Sequence, residues 1–271
     1  PPGVSFLTSA MFGLAAPMMY HSYNQLMFIN YMPFLVLALI GTDAYVEKRR
    51  SGLLIAGTLG MILTSFYFSI GGMLMMFLYI CGEKVTFRQL AGYVLRLLAA
   101  VCMAGILLVP TALVLFTGNR GGSEVINTTS SKPFPYSERF LYSPYGMGLS
   151  AFASFSLLYA VLFPEEKKLA GRRHLQAAGL VLLLMIPIIA RLLNGGLYAK
   201  DKVFMPFIPL VCLQAARCIK GIRRGDSTGR GSVWRWLALA ACMAWFIWQT
   251  AAAKYYIDYK YLLILDGLLL A

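Results

Sequence analysis

Long apolar runs alternate with short charged breaks from one end of the 271-residue chain to the other. Continuous runs of about 15 to 25 apolar residues are typical of membrane-spanning α-helices. We place nine candidate spans, at about residues 4–20, 26–46, 52–67, 69–82, 91–116, 147–163, 175–193, 203–219 and 234–252. The pattern predicts an all-α, polytopic transmembrane protein, with one transmembrane domain over residues 1–271.

The third and fourth candidate spans are shorter than the others and are joined by the sequence LTSFYFSIGG. Gly71 and Gly72 predict a helix break here, and the aromatic residues before them suit a membrane interface. We therefore expect a tight hairpin with an aromatic tip. The two short segments form either a pair of spans or a re-entrant pair.

Composition supports the membrane class, since only 13% of residues are charged and 59% are hydrophobic. Soluble domains carry roughly 25% charged residues. The net charge of +13 would suggest a nucleic-acid partner in a soluble protein, but cytoplasmic loops of membrane proteins also collect Lys and Arg. We expect the lipid bilayer, and no nucleic acid, as a partner.

The basic residues divide unequally between alternate loops, and this division predicts the orientation. Four loops are strongly basic: EKRR, GEKVTFR, EEKKLAGRR and RCIKGIRRGDSTGRGSVWR. They hold 15 of the 24 basic residues, whereas the intervening loops hold seven. The positive-inside rule therefore places the four basic loops in the cytoplasm.

Two polar segments lie on the predicted outer side. Residues 117–146 form a loop of about 30 residues that is rich in Gly, Ser, Thr and Tyr, and long loops in compact proteins are usually functional or mobile. Residues 194–202 form a second, shorter loop. We expect any ligand site to involve this side.

Motifs for familiar catalytic chemistry are absent from the sequence. The five cysteines lie in or beside apolar runs without a CxxC spacing, which excludes the usual zinc patterns. No Walker loop, GxGxxG or HExxH is present. We predict no metal and no other cofactor.

The segment LLNGGLYAKDKVFMPFIPL, residues 192–210, carries an unusual set of polar groups at the edge of an apolar run. Lys202 either snorkels to the headgroups or binds an anionic ligand there. Arg191 lies within a span, where an ionisable group usually faces a cavity or a partner. Arginine binds phosphate in a bidentate manner, although an ion pair with an interfacial carboxylate such as Asp201 is the alternative.

The outer turn MYHSYNQLMFINYMPF, residues 19–34, gathers tyrosines, amides and His21. Aromatic-belt residues account for much of this composition. The same residue types also suit a wall that contacts a sugar, because sugars stack on rings and hydrogen-bond to amides.

Three pieces of the chain resemble the bacterial YfhO-like membrane proteins, integral glycosyltransferases that use polyprenyl-phosphate sugars. The first is FINYMPFLVLALIGTDAYVEKRRSGLLIAGTLGMILTSFYFSIGGMLMMFLYI, with a proline-led helix, a basic turn and a hairpin. The second is GILLVPTALVLFTGNR, with a Leu-Pro-Thr-like helix and a Gly-x-Arg loop. The third is LLNGGLYAKDKVFMPFIPL. The resemblance extends from about residue 5 to 250.

The resemblance implies transfer of a sugar from a polyprenyl-phosphate donor to a cell-envelope polymer, such as a teichoic acid, on the outer face of the bacterial cell membrane. In such enzymes an acidic residue on the first outer loop acts as the catalytic base. This chain opens with PPGVSF and closes within an apolar run, so we expect a fragment that lacks the first helix and that loop. The catalytic base would lie upstream, and the fragment alone would be inactive.

By position, the resemblance places Lys202 and Arg120 at the family's basic positions. A cation at headgroup depth would stabilise the charge that develops on the leaving phosphate. We therefore expect Lys202, with Arg191, to hold the lipid phosphate, and Tyr198 and Asn194 to shape the edge of the site. Two other functions stay open: a transporter or flippase of a lipid-linked or polar solute, and a non-catalytic membrane scaffold.

Overall fold

The computed structural model of the chain describes residues 2–117, 142–163, 170–193, 201–224 and 232–252. Within these ranges the chain folds into α-helices and two short 3-10 segments, which confirms the predicted helical class. The helices are α1 (Pro2–Gly13), α2 (Ala16–Tyr23), α3 (Met32–Lys48), α4 (Gly52–Thr64), α5 (Phe66–Cys81), α6 (Phe87–Met103), α7 (Gly105–Thr117), α8 (Ala151–Leu162), α9 (Ala170–Met185), α10 (Pro187–Leu193), α11 (Ile208–Arg224) and α12 (Ser232–Ala252). The 3-10 segments are Leu26–Phe28 and Asp201–Phe207.

Several apolar runs that the sequence presents as single spans are broken. α1 and α2 meet at an angle of 48°, and α6 and α7 at 69°. Pro17 lies in the first turn of α2, where its fixed φ and missing N–H favour a helix start. Between α6 and α7, Gly105 is a poor helix former, and Pro110 removes a backbone donor from α7.

Some of the described helices are long and apolar enough to cross a membrane. Leu26–Lys48 and Lys202–Arg223 are long and apolar enough to cross, and the two bent pairs raise the total to four if each pair is one span. α4, α5, α8 and Val233–Trp245 are apolar but shorter. The described part of the chain is therefore helical with two to four candidate spans, and the nine-span topology stays a prediction.

The predicted hairpin forms, but its turn lies elsewhere. The chain breaks at Ser65, between α4 and α5, whereas Gly71 and Gly72 lie buried inside α5. The expectation that these glycines break the helix is wrong, because they serve packing instead. A Cβ on Gly71 would lie only 3.2 Å from the Val203 carbonyl oxygen and 3.3 Å from Pro206.

The core lies where α3, α4, α5, α9 and α11 meet the Asp201–Phe207 segment. Methionine and aromatic side chains fill much of it, including Met75, Met76, Phe204 and Phe207. Large apolar side chains also remain on the outside of the fold: Phe87 is 87% exposed and Ile106 is 86% exposed. An exterior of this kind is typical of a surface that faces lipid.

The segment 142–150 connects to α8 and packs on α2. The Ala16 N–H donates to the Gly148 carbonyl at 2.9 Å. Gly148 has φ of +54°, and a Cβ there would also crowd Pro17 and Ala16, so this contact requires glycine. Most of the predicted outer loop at 117–146 lies outside the described residues.

Candidate functional site

Lys202 has its ammonium placed against two aromatic rings from other parts of the chain. Its Nζ lies 4.9 Å from the centre of the Phe28 ring and 5.3 Å from that of Tyr67. Both distances are within cation–π range. The side chain is half-buried, so packing holds the charge in place.

The position of Lys202 depends on α5. Tyr67 and Gly71 are four residues apart and therefore lie on the same face of that helix. Because Gly71 has no side chain, the Asp201–Phe207 segment can pack closely beside it at Val203 and Pro206. This close approach brings Lys202 over Tyr67.

His21 lies in the last turn of α2 and is fully buried. Its Nε2 is 2.9 Å from the carbonyl oxygen of Pro144. Its ring contacts Phe28, with centroids 4.9 Å apart, and Tyr145, with centroids 5.3 Å apart. Since Lys202 also contacts Phe28, the fold brings together two residues that the sequence predicted separately.

The rings around His21 and Lys202 form one continuous group, here called the aromatic cluster. Phe68 joins its parts, at 5.8 Å from Phe28, 4.8 Å from Tyr67 and 5.0 Å from Tyr31, on which it stacks. The members of the cluster are Tyr20, His21, Phe28, Tyr31, Tyr67, Phe68 and Tyr145, with Lys202 beside them. At its edge, a hydrogen bond with Tyr20 raises the pKa of Tyr145.

Three buried polar atoms in and beside this cluster have no hydrogen-bond partner among the described residues: His21 Nδ1, Asn30 Oδ1 and the Tyr31 hydroxyl. Tyr31 and His21 are completely buried. Buried polar atoms are nearly always partnered, and exceptions often mark sites that bind something else. The aromatic cluster is therefore the best candidate site among the described residues.

Sequence reasoning missed Phe28, Tyr67 and Tyr31 as members of the site. Interfacial aromatic residues are common in membrane proteins, and nothing in the local sequence separates these three from belt residues. Phe28 and Tyr67 are distinguished only by their contacts with Lys202 and His21, and Tyr31 only by its stacking on Phe68 in the same cluster.

The other predicted residues are not placed by the structure. Arg191 lies in α10, which contacts the Asp201–Phe207 segment, but its side chain is outside the description. Asn194, Tyr198 and Arg120 lie outside the described residues altogether. Their proposed roles stay predictions.

A second polar group, here called the glutamine network, lies at the other end of α5. Gln176 Oε1 accepts from Arg217 Nη1 at 2.6 Å and from Gln214 Nε2 at 3.2 Å, while Gln176 Nε2 donates to the Leu78 and Tyr79 carbonyls. Arg217 also lies 3.5 Å from the Glu83 carboxylate. The network consists of Glu83, Gln176, Gln214 and Arg217.

Neither group offers a metal site. Across the described ranges no set of three or more His, Cys, Asp and Glu side chains could hold a metal ion.

Comparison with family models gives one assignment. Residues 3–269 match the model described as bacterial membrane protein YfhO. Searches of curated proteins and of solved structures give no match. The match covers nearly the whole chain, and the helical, apolar fold agrees with it. The chain is a member of the YfhO family of bacterial membrane proteins.

Proposed function

We propose that this protein takes part in glycosyl transfer, moving a sugar from a polyprenyl-phosphate donor to a cell-envelope polymer on the outer side of the membrane. Membership of the YfhO family supports a bacterial membrane location. The position of Lys202 in the aromatic cluster is the observation that carries the proposal.

The proposed role of Lys202 is to hold the donor phosphate. When the bond between sugar and phosphate breaks, the leaving phosphate gains negative charge. A cation already held at that point needs little reorganisation and stabilises the transition state more than the ground state. Phe28 and Tyr67 hold the ammonium by cation–π contact, and a cation–π contact does not neutralise its positive charge.

The aromatic rings around Lys202 suit the sugar. A hexose presents apolar C–H faces and a rim of hydroxyl groups, and therefore packs on rings while it hydrogen-bonds to polar atoms beside them. The cluster supplies both features, because stacked rings lie next to the unpartnered atoms of His21, Asn30 and Tyr31. Tyr198, Asn194, Arg191 and Arg120 remain candidate contributors to the same site.

Binding of a polyprenyl-phosphate sugar to the purified protein tests the role of Lys202. Lys202→Met keeps an unbranched stem against the rings and removes the charge, whereas Lys202→Arg keeps the charge. Loss of a charge-assisted contact should weaken binding roughly tenfold or more. Native mass spectrometry of the protein in detergent gives the affinities.

Lys220→Ala is the matched control, since Lys220 is exposed near the other end of α11. It should bind the lipid as the wild type does. If Lys202→Met also binds like the wild type, Lys202 is only a snorkelling residue. The scaffold hypothesis, which predicts no effect of this substitution, would then be favoured.

The bent helix pairs favour a transporter or flippase as the second candidate. Broken helices commonly build the substrate sites of transporters, and α1–α2 and α6–α7 bend by 48° and 69°. Reconstituted vesicles with a labelled lipid-linked sugar separate the two functions. Movement of label across the bilayer without transfer to an acceptor would support transport.

A further inference from the structure

We propose that His21 Nδ1 accepts a hydrogen bond from a hydroxyl group of the donor sugar, so that His21 distinguishes a sugar-bearing polyprenyl phosphate from the bare lipid phosphate. This inference rests on the proposed function and assigns the sugar part of the ligand to a named atom.

The contact with Pro144 determines the tautomer of His21. A carbonyl oxygen can only accept, so the Nε2 atom that lies 2.9 Å from the Pro144 oxygen must donate and carries a proton. In the neutral imidazole, Nδ1 is then a bare acceptor. Since Nδ1 lies on another edge of the ring, the Pro144 contact leaves it unused.

The surroundings of His21 favour the neutral form. The ring is fully buried and is packed against Phe28, Tyr20 and Tyr145. Lys202, which shares Phe28 with His21, adds a positive charge nearby that disfavours an imidazolium. No carboxylate contacts the ring in the described chain.

The buried Nδ1 has no hydrogen-bond partner within the described ranges of the chain. A buried acceptor without a donor costs free energy, and a ligand that supplies the donor recovers it. A sugar hydroxyl is a suitable donor. The ionised phosphate of the lipid is not, because it offers only acceptors, and it fits Lys202 instead.

We therefore assign the two parts of the ligand to two residues that both contact Phe28: the phosphate to Lys202 and the sugar to His21. Binding of bare polyprenyl phosphate should need only the contact with Lys202. A polyprenyl-phosphate sugar should need both.

Two substitutions of His21 separate the roles of its nitrogens. The amide of Gln reaches the position of Nε2, so His21→Gln keeps the donor to Pro144 and loses the acceptor at Nδ1. The shorter amide of Asn lies near Nδ1, so His21→Asn keeps an acceptor there and loses the contact with Pro144. A purely structural His21 would suffer most from the Asn change.

The experiment measures the affinity of the purified protein for polyprenyl phosphate with and without its sugar, together with thermal stability. His21→Gln should lower affinity for the sugar-bearing lipid about three- to tenfold and leave the bare lipid unchanged. His21→Asn should keep the preference for the sugar-bearing lipid while its thermal stability falls. Lys202→Met should weaken both lipids.

The inference is overturned if His21→Gln keeps the sugar preference, if it weakens both lipids equally, or if the wild type shows no such preference. A selective effect of His21→Gln without any effect of Lys202→Met would instead overturn the phosphate role and leave the His21 contact standing. Failure of the two proposals is therefore distinguishable.

Discussion

The aromatic cluster and the glutamine network lie near opposite ends of α5. Tyr67 in the cluster and Tyr79 beside the network are about 18 Å apart along the helix, at 1.5 Å per residue. Both place polar side chains inside an apolar fold, but they differ in how those groups are satisfied. In the glutamine network, Gln176 uses both ends of its amide in hydrogen bonds, and none of the buried side-chain atoms of its four members lacks a partner. In the aromatic cluster, polar atoms of His21 and Tyr31 are buried without one.

This difference indicates that buried polar side chains serve stability in the glutamine network and ligand binding in the aromatic cluster. A satisfied network joins helices, here α9, α11 and the chain around α5, and changes to it should act on stability. A buried polar group without a hydrogen-bond partner makes the ligand-free protein less stable, and a ligand that supplies the partner restores that stability. The comparison therefore predicts that substitutions at the two ends of α5 affect different measurements.

Breaking the glutamine network should give the largest loss of stability. Gln176→Leu removes the acceptor used by Arg217 and Gln214. It also removes the side-chain donor to the carbonyls of Leu78 and Tyr79, although Tyr79 still accepts from the Gly82 N–H. Each buried group left unpartnered costs about 1–3 kcal/mol. Reversible unfolding in detergent should show the loss.

Gln176→Glu is the comparison for this prediction. It loses the donor to the two carbonyls and buries a carboxylate beside them, but it keeps an acceptor for Arg217, whose positive charge pairs with it. Its loss of stability should be smaller. Lipid binding by the folded fraction should not change in either variant. A loss of binding larger than the loss of folded protein would contradict the separation between the two ends of α5.

A larger side chain at Gly71 in α5 should give the second-largest effect, and it should lower both stability and lipid binding. Gly71→Val places side-chain atoms against Val203 and Pro206 and pushes the Asp201–Phe207 segment away. Overpacking of this kind costs about 1–3 kcal/mol. We expect lower thermal stability and weaker binding of polyprenyl phosphate, since Lys202 moves with the segment.

Gly171→Val in α9 is the matched control, because a Cβ there meets nothing within 4 Å. It should change neither measurement appreciably. Normal lipid affinity in Gly71→Val would show that the packing of α5 does not position Lys202.

Removing the Phe28 ring, which contacts both His21 and Lys202, should give the smallest effect on lipid binding. Phe28→Leu keeps an apolar side chain but removes the cation–π contact with Lys202. Such contacts contribute about 0.5–1 kcal/mol at accessible sites, so affinity for bare polyprenyl phosphate should fall about two- to fivefold.

Phe87→Leu serves as the comparison, since Phe87 is 87% exposed on α6, and it should bind as the wild type does. A loss in Phe28→Leu as large as that in Lys202→Met would mean that the ring, and not the charge, makes the principal contact.

The sequence by itself determined the class of this protein. Long apolar runs allow only structures that satisfy their own backbone hydrogen bonds in lipid, and helices do so locally. The helical class and the short α4–α5 hairpin could therefore be predicted without coordinates, and the YfhO family was indicated by the resemblance of three stretches of the chain. Lys202 and His21 were also identifiable, because charged and titratable groups at the edge of apolar runs are uncommon.

Only the tertiary structure decided which residues meet. The local sequence predicted that Gly71 breaks a helix. It lies inside α5 instead, where the Asp201–Phe207 segment packs closely against it, because tertiary contacts override local propensity. Phe28 and Tyr67 were indistinguishable from belt aromatics until Lys202 was found between them. The bare Nδ1 of His21 likewise depends on Pro144, which is distant in the chain. Long-range contacts of this kind leave no local pattern, because the side chains that form them are chosen by packing between helices and not by the periodicity of any one helix.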